Sequence, residues 1–162
     1  RGMRVRIALE QVRRCRELTR EVRALEHEIG ALMRVLAPEL LALPGCSALS
    51  AAQLVGQVAG AARFRSEAAF AMHAGAAPLQ ASSGKTVRHR LNRRGNRRLN
   101  CALHIIAVTQ LRMHPPAIAY LARKRAEGLS TRETLRCLKR HIARTVFRTM
   151  RRAELGRLAV CC

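Results

Sequence analysis

The chain contains no aspartate: all ten of its acidic residues are glutamates, set against 31 Lys and Arg, for a formal net charge of +21. Enzymes that hold two metal ions on clustered Asp and Glu are therefore not complete within these 162 residues. Tryptophan is absent and aromatics make up 2%, which argues against stacking platforms for single strands and against most β-sandwiches. No apolar run approaches the roughly 18 residues of a membrane span, and a basic amphipathic membrane binder would need more Trp and Phe anchors. The six cysteines (Cys15, Cys46, Cys101, Cys137, Cys161, Cys162) form no CxxC pair and read as reduced, packed thiols. Cys101 with His104 and Cys137 with His141 have helical spacing, but they lack the tight ligand knot of structural zinc, so no metal is assigned to this chain. No charged-then-apolar leader follows Arg1, so a cytoplasmic, nucleoid-associated protein is expected.

What is present is 49% apolar residues, carried largely by Ala and Leu, which predicts an all-α fold. Leu18, Val22, Leu25, Ile29, Leu32 and Leu36 alternate spacings of four and three on one helical seam. Arg and Glu fill the other face, and Ala8 and Cys15 extend the seam toward the N-terminus. A coiled-coil arm over residues 1–43 that pairs two copies through 8–36 is one reading. A long helix packing on its own domain, or on another domain, is the other. Residues 44–150 then form a compact helical domain, and 151–162 a flexible tail.

Within that domain LPGCSALSAAQLV (Leu43 to Val55) reads as helix, tight turn at Gly45, Ser50 as cap, and a second helix. This helix-hairpin-helix pattern offers backbone N–H groups to a phosphate, with Gly45 and Ser47 as contacts. Any corner in a helical bundle can look the same. A short helix from Ser66 stops at Gly75, and helical periodicity is lost from Ala76 to about Arg94. It resumes at Asn96 in a helix that ends near His114; Pro115-Pro116 starts another that closes at Gly128, and the capping box Ser130-Thr131-Arg132-Glu133 opens the last. Leu135, Leu138, Ile142 and Val146 are the expected core face of the last helix.

The irregular stretch is the most basic. Lys85, Arg88, Arg90, Arg93, Arg94, Arg97 and Arg98 lie within fourteen residues, and no acid occurs between Glu67 and Glu127. Arg outnumbers Lys 28 to 3, and the guanidinium fork suits phosphate better than an ammonium does. Nucleic-acid binding follows. Ser82-Ser83-Gly84, just ahead of the basic run, is ordinary turn composition. A serine among so many guanidiniums also suits attack on a phosphodiester, given a base or metal to activate it.

LPGCSALSAAQL, RFRSEAAFAMHAGAAP and SSGKTVRHRLNRRGNRRLNCALH together resemble the C-terminal domain of insertion-sequence transposases of the IS-one-ten/IS-one-sixteen type. The resemblance runs from about Leu18 to Met150. It implies a serine that attacks DNA to give a phosphoserine link, with Ser83 in that position and Ser82 the runner-up. It also implies an N-terminal RuvC-like domain carrying acidic residues and magnesium, a structured guide RNA, and assembly into dimers and tetramers. Arg93, Arg94, Arg97 and Arg98 would hold nucleic-acid backbone, and Asn96 would cap a helix. Two features depart from the family: Ser47 stands where the hairpin's second Gly is expected, and the acidic set is absent, so magnesium is expected on a domain outside this chain. A non-enzymatic helix-hairpin-helix protein that grips branched DNA or structured RNA is the alternative.

Overall fold

A computed structural model of the chain describes residues 2–82, 89–90 and 92–160. The first helix, α1 (Met3–Leu36), is unbroken over 34 residues, about 50 Å at 1.5 Å per residue. Its apolar seam does not face the protein's own body: Leu18 is 41% exposed and Leu25 57%. The docking stripe is Gly30 and Met33, with Ile29 partly covered, a fraction of a turn from Leu32 and Leu36, which stay exposed. Packing of the whole arm on its own domain is thereby excluded among the described residues.

The body follows at once. Residues 37–43, expected with the arm, belong to it: α2 (Pro38–Leu41) begins on a proline and buries Leu40. Gly45 turns the chain at φ +75° into α3 (Ala48–Val58). The cap of α3 is Ser47, whose Oγ accepts from Ser50 N at 3.3 Å. Ser50, expected as the cap, is instead buried one turn inside. Both are serines with the spacing of a capping motif, so sequence alone could not choose between them. A 3-10 turn (Ala61–Arg63) and α4 (Glu67–His73), capped by Ser66, lead to two short strands, β1 (Leu79–Gln80) and β2 (His89–Arg90). These pair antiparallel, Leu79 with Arg90 and Gln80 with His89. Within the stretch expected to be irregular these four residues form a hairpin base, too short to show a period of two.

Three further helices close the domain: α5 (Arg97–Met113), α6 (Pro115–Ala126) and α7 (Thr131–Val160). The capping box at Ser130 forms as expected, with Ser130 N donating to Glu133 Oε2 at 3.0 Å. Helix α5 packs against α3, α6 and α7, and Leu54, Val58, Leu99, Leu103, Ile106 and Val146 are fully buried between them. The chain's three phenylalanines add a second cluster: Phe70 meets Phe64 edge-on at 5.4 Å and lies 5.5 Å from Phe147. Where a flexible tail was expected from 151, α7 continues as helix to Val160. Glu154 accepts the N–H groups of Ala61 and Ala62, and Arg157 donates to Leu36 O at 3.0 Å. Of the described cysteines only Cys46 is buried; Cys15 and Cys101 are exposed, which corrects the expectation of packed thiols. No described helix is long and apolar enough to cross a membrane.

Candidate nucleic-acid interface

The basic block Arg93-Arg94-Gly95-Asn96-Arg97-Arg98 sits between three asparagines spaced by four, and each ties it to the end of α4. A helix leaves its last carbonyls without intrahelical donors. Here Asn92 Nδ2 donates to Met72 O at 3.0 Å, Asn96 N to His73 O at 2.7 Å, and Asn100 Nδ2 to Ala74 O at 2.8 Å. Three successive carbonyls thus accept from Asn92, Asn96 and Asn100. Asn96 also caps α5, its Oδ1 accepting from Leu99 N at 3.0 Å, while its Nδ2 reaches Gln57 Oε1 on α3 at 2.9 Å. Capping is the role expected of it.

Two glycines make that approach possible. Gly75 ends α4 in the left-handed region at φ +65°, where a side chain is strained. Gly95 lies against it so closely that a Cβ at 95 would fall 2.3 Å from both Gly75 Cα and Gly75 N. The backbones therefore stack with no room for a methyl group.

The outcome is a rigid mount for exposed guanidiniums. Arg93, Arg94, Arg97 and Arg98 are all exposed, and none forms an ion pair among the described residues. Arg97 and Arg98 occupy the first turn of α5, which carries no acid. Cations there oppose the positive end of the helix dipole, so like charges are crowded where an anion would be favoured. An approaching phosphate relieves both conflicts.

Behind the block lies a buried cation. Lys139, 6% exposed, donates from Nζ to Asn100 Oδ1 at 2.7 Å. Burial, and secondarily the Arg136 charge, lower its pKa from the ordinary lysine value.

The other expected residues fall in different places. Ser83, Lys85 and Arg88 lie outside the described residues. Ser82 is exposed, two residues beyond β1, and Arg90 lies on β2, exposed. The hairpin turn is remote from the basic block. A Cβ on Gly45 would meet Ile106 O at 3.0 Å and Gln110 Cγ at 3.2 Å, and Gln110 Nε2 donates to Pro44 O at 2.8 Å. Gly45 thus lets the turn lie on the far half of α5, while Gln57 at the other end of α3 meets Asn96. Thirteen residues of α5 separate Gln110 from Arg97, about 20 Å, so the two contacts cannot share one phosphate. Ser47 is exposed, with its hydroxyl engaged in the α3 cap.

Among the described residues no three His, Cys, Asp or Glu side chains gather where one metal ion could be held. The anchors Asn92, Asn100, Gly75 and Lys139 were not singled out in the sequence. The four-residue spacing of Asn92, Asn96 and Asn100 was their one visible signal.

A family model described as Transposase IS116/IS110/IS902 family matches residues 37–122, more than half of the chain and all of the block and its mount. No curated protein matches the sequence.

Proposed function

The chain belongs to the IS116/IS110/IS902 transposase family, and we propose that it is the part of such an enzyme that grips DNA and supplies a serine nucleophile. The observation that carries this reading is the mount just described: four exposed guanidiniums, unpaired among the described residues, fixed on three asparagine anchors. In sequence, β1 leads into the serines and β2 precedes the block. Ser83 Oγ attacks phosphorus, a phosphoserine bond forms, and the bond from phosphorus to a deoxyribose oxygen breaks. The arginines stabilise charge on the phosphoryl oxygens. Ser82 is the alternative nucleophile. The hydroxyl proton, and any magnesium that promotes its loss, are the business of an acidic RuvC-like domain outside these residues. Lys85, Arg88 and Arg90 extend the grip, and Gly45 and Ser47 would meet a second phosphate some 20 Å away.

Two partners complete the proposal. A structured guide RNA would share the cationic surface with DNA. A second copy would cover the bare seam of α1, since Leu18, Val22, Leu25 and Leu32 are exposed at the spacing that pairs helices.

The test is covalent. Mixed with a supplied acidic domain, magnesium and target DNA, the chain is expected to give a protein–DNA adduct that survives denaturation. Ser83→Ala should abolish it while leaving DNA binding intact. Loss of the adduct in Ser82→Ala alone would move the nucleophile by one residue. An adduct that persists when both serines are replaced would overturn the serine chemistry.

A further inference from the structure

Between the hairpin base and helices α6 and α7 lies a cavity of about 630 Å³, within the range of roughly 300–1,000 Å³ typical of sites for small ligands. Its cations come from three elements: Arg90 on β2, Arg123 and Lys124 on α6, and Arg136, Arg140 and Arg144 on α7, the last paired with Glu67 at 3.0 Å. Lys139 forms part of the wall, and Glu133 is the one carboxylate among its described residues. Cations outnumber carboxylates in this lining. Arg123 and Lys124 share the single carboxylate of Glu127, and Lys139 has an amide for its partner. Burial and the charges of Arg144, Arg140, Lys124 and Arg123 lower the His141 pKa.

The same wall holds Tyr120, the chain's one tyrosine. It stands edge-on to His141 at 5.2 Å, with the Arg123 guanidinium 5.3 Å from its ring centre. A lone tyrosine makes no platform for successive bases, but one ring is enough for one base. The cavity cannot admit a double helix; it has the size for a nucleotide turned out of one. Pro78, His89 and Arg90 line it, and Ser82 follows Pro78 by four residues, at most about 14 Å of extended chain.

Resting on the DNA-recombining reading above, we propose that this pocket receives one unpaired nucleotide of the DNA strand that the serine loop engages. Arg90, Arg136 and Arg140 hold its phosphate, and its base lies against Tyr120. The pocket selects a strand that is locally open beside the scissile bond, and so sets where the serine finds its phosphorus.

Equilibrium binding of the full chain tests this with a blunt duplex, the same duplex bearing a three-nucleotide single-stranded overhang, and an RNA strand of the overhang's sequence. The overhung duplex is expected to bind about tenfold tighter than the blunt one at equal salt. A 5-iododeoxyuridine in the overhang should photocrosslink to Tyr120. Arg136→Glu and Tyr120→Ala should each abolish the tenfold preference while retaining blunt-duplex affinity, and Tyr120→Phe should keep it. Equal binding of both duplexes by the wild type, or a preference that survives Arg136→Glu, would overturn the pocket. So would tighter binding of the RNA strand, or competition by free dAMP as effective as the overhang. Failure of the wild type to bind any duplex would instead overturn the parent reading.

Discussion

Gly95 stacks on Gly75 backbone to backbone, with 2.3 Å between a hypothetical Cβ at 95 and the Gly75 Cα. This contact sets the spacing between the end of α4 and the start of α5, and so the position of every arginine in the block. Gly95→Ala must push the two segments apart. It is expected to cost about 1–3 kcal/mol, the usual range for overpacking, read as a lowered midpoint in urea. It should weaken DNA binding although no charge is changed. Unaltered stability would mean the stacked contact does not exist in solution.

Asn100 joins two buried groups, the Ala74 carbonyl and the Lys139 ammonium. Asn100→Leu keeps the volume and removes both bonds. Each polar group left buried and unpaired costs about 1–3 kcal/mol, so this variant should be destabilised more than Asn96→Ala. There the loss of the cap is worth about 0.5–2 kcal/mol. Denaturant unfolding of the two variants side by side checks the order.

The fold was legible wherever a cap or a breaker marks a boundary. Ser66, Asn96, Pro115 and the Ser130–Glu133 box each start a helix where expected, because each supplies a local bond or a fixed φ that needs no tertiary partner. The end of α7 was not legible, since Glu154 is fixed by N–H groups more than ninety residues earlier. The hairpin was missed because two-residue strands carry no period. The arginines of the block could be read as a phosphate grip, yet their mount could not: three asparagines bond to carbonyls of a helix some twenty residues upstream. The pocket cations Arg136 and Arg140 come from α7 and meet Arg90 only through the tertiary fold, although their spacing of four did put them on one face.

Lys139 gives the fold a pH dependence of definite sign. Its folded pKa lies below the unfolded value near 10.5, so between those two values the unfolded chain binds more protons and stability rises with pH. Relative to Lys139→Met, the wild type should therefore gain thermal stability as pH climbs from neutral toward 10.5. The same comparison cancels the opposing effect of Cys46, whose thiol burial pushes up to about 11. A difference between the two proteins that stays constant across this range would contradict the burial of a charged ammonium.

The exposed seam of α1 leads to a further outcome. Leu25→Glu places a charge in the middle of the surface assigned to a second copy, far from the body's core. Sedimentation should show the wild type as a dimer or larger and the variant as a monomer, with the melting of the body unchanged. A wild-type monomer at high micromolar concentration would remove the arm's proposed role.

The grip of the asparagine-mounted arginines on DNA is tested most directly by the salt dependence of duplex affinity for the full chain. With about 5–8 phosphates engaged, log K against log[salt] should fall with a slope of roughly −5 to −7. Joint replacement of Arg93, Arg94, Arg97 and Arg98 by Ala should flatten that slope by about 3–4, close to 0.9 for each lost contact. A wild-type slope near zero, or an unchanged slope in the fourfold variant, would show that these side chains do not hold phosphate.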